Sequence, residues 1–205
     1  SDLIWLRESG LEPAILRKTE FDRVPVIGIC GGYQMLGEQL SDPNGVEGEE
    51  GRIIRGMGLL PARTVFEQRK TRGQTEVILR KNTGMFEKCD VGTRITGYEI
   101  HMGITELTGK AEPIFAKTQD NQSQTTQTVQ TMVHQNWEGL EREDGLVIGT
   151  YLHGLFDNEE LVSALLEKLA EKKGISLEIT TESQEVYKQR QYDKLADLIR
   201  ESLDM

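Results

Sequence analysis

Between Arg23 and Tyr33 the chain reads Val24-Pro25-Val26-Ile27-Gly28-Ile29-Cys30-Gly31-Gly32. No other segment limits the fold as much. A short, almost wholly apolar run suits a strand covered on both faces, as strands are in a parallel sheet. The glycine pair ends that strand, and helical periodicity resumes at Tyr33 and continues to Leu40. The order is therefore strand, tight turn, helix, with Cys30 at the turn. Leu146-Val147-Ile148-Gly149-Thr150-Tyr151-Leu152 is a second buried-type strand, and His153-Gly154 follows it. Two such strands in one chain predict an α/β architecture.

The remaining segments fill in around this frame. Leu3 to Thr19 is amphipathic and interrupted near Gly10 and Pro13, which predicts two short helices. Ser41 to Arg55 is rich in Gly, Glu, Asp and Asn and reads as a loop. Residues 58–66, 74–80, 94–107 and 111–117 carry alternating or β-branched patterns and read as antiparallel hairpins. Thr118 to Gln130, rich in Gln and Thr, reads as a loose hairpin tip or loop. Leu161, Val162, Leu165, Leu166 and Leu169 form the stripe of one C-terminal helix, with Asp157 and Glu160 as a capping box. A last helix from about Thr181 carries Leu195, Leu198 and Ile199 on one face.

Composition narrows the class of partner. Asp and Glu outnumber Lys and Arg by 34 to 24, a formal charge of -10, which argues against nucleic acid or an anionic membrane. No run reaches the length of a membrane span, and no signal peptide is present. Two cysteines, Cys30 and Cys89, are too few for a disulfide framework and lack zinc-type spacing, which fits a reducing cytoplasm. No metal site is expected. The apolar share of 37% is lean for a 205-residue chain.

Gly28-Ile29-Cys30-Gly31-Gly32 has the G-x-nucleophile-x-G form of a nucleophile elbow. A cysteine at a strand-to-helix turn needs small neighbours to avoid clashes. Its place at a helix N-terminus favours the thiolate, and the Gly31 N–H points where an oxyanion would form. A buried structural cysteine before an ordinary Gly-Gly turn fits the same letters. A base is needed to decide, and three histidines are available. His153 ends a buried strand at the sheet edge where α/β sites lie, and can take and return a proton. His134 borders the polar stretch and reads as a solvated loop residue. His101, in Gly97-Tyr98-Glu99-Ile100-His101-Met102-Gly103, lines a pocket or simply sits on a hairpin. Cys89 carries only a structural or loop reading.

The stretch from Val26 to Gly37 resembles the nucleophile segment of class I (triad) glutamine amidotransferases, and among them the glutaminase domain of the cobyric acid synthases. Asp2 to Arg7, Gly97 to Gly103 and Gly149 to Asp157 agree with the same family, in the same order. The resemblance implies a flavodoxin-like sheet flanked by helices, with antiparallel hairpins. Residues 1–160 would be the glutaminase domain, its N-terminal strand or strands missing. Residues 161–205 would be helices packing on it or extending to a partner.

The resemblance also implies Cys30 as nucleophile, His153 as base, and Gln34 and Gly31 as glutamine-binding groups. It implies no cofactor for this chain, and ATP with Mg in an absent synthetase domain acting on a corrin substrate. Ammonia would amidate side chains b, d, e and g of adenosylcobyrinic acid a,c-diamide. Many relatives carry a glutamate two residues after the histidine; here Leu155 stands there. Glu99 and Asp157 are the nearest candidates for that orienting role, and a Cys–His dyad is the other possibility. The family's Pro-Gly-rich segment, which supplies a second oxyanion donor, is not found, so a weak or inactive glutaminase is expected of the isolated chain. The glutaminase of a related cobyrinic acid a,c-diamide synthase or cell-wall amidating enzyme is an alternative. A non-catalytic fragment that packs against a partner is another.

Overall fold

The computed structural model describes residues 2–118, 136–177 and 184–202. Two helices open the chain, α1 (Asp2–Glu8) and α2 (Leu11–Glu20). Gly10 separates them in the left-handed region, φ 77°. Pro13 causes no break: it lies in the first turn of α2, where a missing N–H costs nothing. Strand β1 (Val26–Ile29) follows, then helix α3 (Gly31–Leu36). That helix is shorter than the sequence periodicity suggests. It ends at Leu36, and Gln39 and Leu40 already belong to a strand.

The other strands are β2 (Gln39–Asp42), β3 (Arg52–Arg55), β4 (Ala62–Leu79), β5 (Arg94–Leu107), β6 (Ala111–Lys117), β7 (Trp137–Arg142), β8 (Val147–Thr150) and β9 (Leu152–His153). All nine described strands form one mixed sheet, ordered β1-β8-β7-β6-β4-β2-β3, with β5 bridging β4 and β9. The loop expected over Ser41 to Arg55 is instead an antiparallel hairpin, with Leu40 opposite Ile54. Its turn is folded onto one side chain: the Asp42 carboxylate accepts the N–H groups of Val46 and Glu47 at 2.7 and 2.8 Å. The strands expected at 58–66 and 74–80 are one long strand, β4, which starts at Ala62, is irregular between Phe66 and Thr71, and pairs antiparallel with the expected strands at 94–107 and 111–117.

Period-2 alternation sends neighbouring residues of one strand to opposite faces. Val147 and Tyr151 therefore join Tyr33, Leu36, Leu60 and Leu140 on one face, with Ile15 and Leu16 of α2 packed against them. Ile148 and Leu152 join Leu79, Phe86, Phe115 and Leu161 on the other. Leu161 belongs to helix α4 (Glu159–Lys173), which covers that second face. Its cap is Asn158, whose Oδ1 accepts the Leu161 N–H at 2.9 Å. The expected Asp157/Glu160 box does not form. Asp157 ends a 3-10 turn over Leu155–Asp157, and Glu160 accepts from Thr93. Helix α5 (Gln184–Ser202) leaves Leu195, Leu198 and Ile199 exposed. Thr181, most of the Gln/Thr-rich stretch and His134 lie outside the described residues.

The parallel β1–β8 pair runs in register from Val26 opposite Val147 to Ile29 opposite Thr150. One further bond, Cys30 N–H to Thr150 O at 2.8 Å, carries the ladder to the elbow. A Cβ at Gly28 would lie 2.8 Å from both C and O of Gly32 and 2.5 Å from Leu36 Cδ1. A Cβ at Gly32 would meet nothing within 4 Å. The crowding argument made for both glycines thus holds for Gly28 alone. Gly28→Ala is expected to cost about 1–3 kcal/mol by overpacking, whereas Gly32→Ala, inside α3, should be neutral or stabilising by up to about 1 kcal/mol. Denaturant unfolding of both variants checks this, and equal losses would contradict it.

Candidate active site

Cys30 adopts φ 54°, ψ -113°, one of two described non-glycine residues at positive φ. Such a conformation carries about 1–3 kcal/mol of strain and persists only where surroundings impose it. Here they do: the Thr150 carbonyl holds the N–H before the turn, and Gln34 N–H bonds the Cys30 carbonyl at 3.1 Å after it. The side chain is half-buried, and its Sγ lies 3.4 Å from the Ile100 carbonyl oxygen as donor.

That contact brings in a third segment. β5 pairs antiparallel with β9, Tyr98 opposite His153 and Glu99 opposite Leu152. β5 thus joins the Cys30 elbow, through Ile100, to His153, through Tyr98, at the C-terminal edge of β1 and β8; among the described residues no hydrogen bond links Cys30 to His153. His101 stacks on Tyr151, ring centroids 3.8 Å apart and planes 15° from parallel. Its Nδ1 lies 2.8 Å from the Gly103 carbonyl. Tyr151 is held by Thr105 Oγ1 at 2.6 Å and by the Gln34 amide, which donates to its hydroxyl at 3.3 Å. Gln34 is buried against this cluster.

His153 is half-buried, and its Nε2 is sealed from solvent without a hydrogen-bond partner among the described residues. Leu155 is fully buried in the core under α4. The position two residues beyond the histidine therefore faces apolar packing, which explains why no carboxylate stands there. Glu99 is buried, but Lys117 occupies it, with Nζ 2.8 and 2.9 Å from its two oxygens.

The electrostatics correct one expectation. Burial pushes the Cys30 thiol above its usual range; the Gly31 N–H opposes this, Glu47 adds to it, and Lys70 counters. A six-residue helix has little dipole to offer, and the Ile100 carbonyl rewards the neutral thiol. The resting residue is a thiol, and a base must activate it. Burial also pulls His101 below its ordinary range, against the Gly103 carbonyl and Glu99; Lys117 and His153 pull it further down. That ring is neutral at physiological pH.

Sequence reasoning passed over Glu138 together with the strand that carries it, β7, whose residues are buried on both faces rather than alternating. Glu138 is buried beside the site, accepting from Thr150 Oγ1 at 2.6 Å and Tyr151 N–H at 2.5 Å. Burial raises its pKa to about 7; the two hydrogen bonds oppose, Glu99 adds, and Lys117 subtracts. The tyrosine at 151 was also missed as a site residue, because it reads as one more apolar position in a buried strand. Among the described residues no group of three or more His, Cys, Asp or Glu is placed to hold a metal ion. No described helix is long and apolar enough to cross a membrane.

A strained cysteine on a strand-to-helix elbow, at the C-terminal edge of parallel strands, defines a nucleophile-elbow site on an α/β sheet. The sequence profile of the CobB/CobQ-like glutamine amidotransferase domain matches residues 1–161, and the chain belongs to that family. Cobyric acid synthase from Lachnoclostridium phytofermentans is 44% identical over 206 residues, covering 100% of this chain and 38% of that protein. The Klebsiella pneumoniae (strain 342) cobyric acid synthase is 38% identical over 203 residues, covering 98% and 37%. The chain thus spans under two-fifths of these curated relatives. A solved structure titled PurLQS from Thermotoga maritima overlays with TM-score 0.54 at 17% identity, covering 78% of this chain and 68% of that one, a likeness of fold alone.

Two measurements check the electrostatics. Iodoacetamide labelling of Cys30 in the unliganded protein should climb roughly tenfold per pH unit from pH 7 to 9 without levelling; a plateau below pH 8 would mean a preformed thiolate. Glu138 is protonated more readily folded than unfolded, so its contribution is fully favourable below its ordinary 4.5 and is lost as pH rises through about 7. Glu138→Gln should flatten the fall in stability between pH 5 and 8 by on the order of 3 kcal/mol. Identical pH slopes in thermal unfolding would contradict the buried-carboxyl account.

Proposed function

We propose that this chain is the glutaminase portion of a cobyric acid synthase in cobalamin biosynthesis. The observation that carries the reading is the strained Cys30 on its elbow, with Gly31 N–H beside the sulfur and His153 ending the adjoining strand edge. His153 takes the Cys30 proton as Sγ attacks the side-chain carboxamide carbon of glutamine. The Gly31 N–H stabilises the oxyanion. The imidazolium returns its proton to the departing nitrogen, ammonia leaves, and water hydrolyses the thioester to glutamate. Gln34, fixed against Tyr151, helps bind glutamine. Because Lys117 neutralises Glu99, Cys30 and His153 act as a dyad, and Glu99 sets the local field without gripping the imidazole.

The identity to cobyric acid synthases supports the wider role. Ammonia would pass to a cytoplasmic synthetase portion using ATP and Mg, for amidation of the b, d, e and g side chains of adenosylcobyrinic acid a,c-diamide. Neither nucleic acid nor membrane enters this scheme.

A glutamine-analogue electrophile, 6-diazo-5-oxonorleucine, tests the catalytic reading. Cys30 should be alkylated and Cys89, buried behind Thr93, should not. Cys30→Ala should abolish labelling, and His153→Ala should slow it roughly 10²–10⁴-fold. Equal labelling of both cysteines, or a parental rate in His153→Ala, would sink it.

A further inference from the structure

Two imidazoles stand at this edge, and the reaction above uses one. Three observations give the other, His101, a separate task. Its Nδ1 faces a carbonyl oxygen at 2.8 Å, and a carbonyl only accepts, so Nδ1 carries the hydrogen. In the neutral ring that leaves Nε2 as a bare lone pair, and Nε2 has no partner among the described residues. The ring cannot tilt freely, because it stacks on Tyr151, itself tied to Thr105 and Gln34. His101 also directly follows Ile100, whose carbonyl receives the Cys30 thiol, and its ring lies on Tyr151, whose hydroxyl is within electrostatic reach of Cys30.

We propose, building on the glutaminase reading, that His101 Nε2 is the hydrogen-bond acceptor for the leaving amide nitrogen of glutamine. In the tetrahedral adduct that nitrogen carries two hydrogens and a lone pair. Donating one N–H to His101 turns the lone pair toward the His153 imidazolium. His153 then transfers its proton to the nitrogen, the C–N bond breaks, its electrons stay on nitrogen as ammonia forms, and the carbonyl of the thioester reforms. His101 accepts only a hydrogen bond and neither gains nor loses a proton. Neutrality is essential to this division of labour. A protonated His101 would have no acceptor to offer and would repel the charge on His153. Partial burial beside Tyr151, aided by Lys117, outweighs the Gly103 carbonyl and Glu99 and keeps it neutral.

The diazo analogue separates this role from a structural one, because it keeps the amino acid end and the carbonyl of glutamine but loses nitrogen gas instead of an amine. In the full-length enzyme, His101→Asn should lower kcat for glutamine hydrolysis roughly 10–100-fold, the loss of one buried hydrogen bond. KM and the rate of Cys30 alkylation by the analogue should stay within about threefold. His101→Gln, whose longer amide reaches the Nε2 position, should recover part of kcat. Parallel losses in hydrolysis and alkylation would make His101 a packing residue or the base itself and overturn the proposal. An unchanged kcat would overturn it too. A parent enzyme that neither hydrolyses glutamine nor takes the label would instead overturn the glutaminase reading.

Discussion

The pairing of β1 with β8 is the constraint on which the site depends. Both strands are short and apolar, and β8 is buried along its whole length. Val147 and Ile148 serve opposite faces of the sheet, so a slip of one residue would exchange two cores. Register is therefore firmly specified, and the Cys30–Thr150 bond is its last rung. Everything chemical hangs beyond that rung. Gly28 must be small because the returning helix passes directly over it. Cys30 is forced into positive φ because the chain turns there with both its N–H and its carbonyl already committed. His153 is set beside Tyr98 because β8 runs on into β9, which β5 captures.

Sequence reading reached this frame because the frame is made of local signals. A run such as Val26–Ile29 reads as a buried strand wherever it sits, and Gly-Gly reads as a break. The features it missed are those that depend on distant partners. The hairpin of β2 and β3 has acidic, glycine-rich letters, and Ile53 on it is 64% exposed. It exists because β4 offers β2 a parallel edge and because Asp42 ties the turn. Asn158 displaced Asp157 as the cap of α4 because a 3-10 turn consumes one more residue than a direct strand-to-helix step. The ionisation of Cys30 was misread for a similar reason. The helix N-terminus is local and visible, whereas the Ile100 carbonyl and the burial that favour the thiol come from β5.

The charges behind the site follow the same rule. Lys117 on β6, Glu99 on β5 and Glu138 on β7 are far apart in the chain, and the sheet gathers them at one end. One cation serves two carboxyls: it is bonded to Glu99, so Glu138 is left to burial and stays partly protonated near neutrality. Two full anions beside the neutral His101 would favour its protonated form. A shared lysine keeps the net charge there low.

A protonated resting thiol also gives the site a form of selectivity. A preformed thiolate attacks any electrophile that diffuses in, whereas a thiol held against Ile100 O reacts only when a base removes its proton. On the proposed reading, that transfer to His153 creates an imidazolium and a thiolate in a half-buried place, a separation of charge less well stabilised than in open water. Only a substrate whose carbonyl oxygen reaches the Gly31 N–H lets the negative charge move off sulfur onto an oxygen with a donor waiting. Thiol activation and substrate fit become one event. On the proposed reading, the burial that raises the Cys30 pKa does not work against a nucleophile at this elbow; it makes that nucleophile conditional on the ligand.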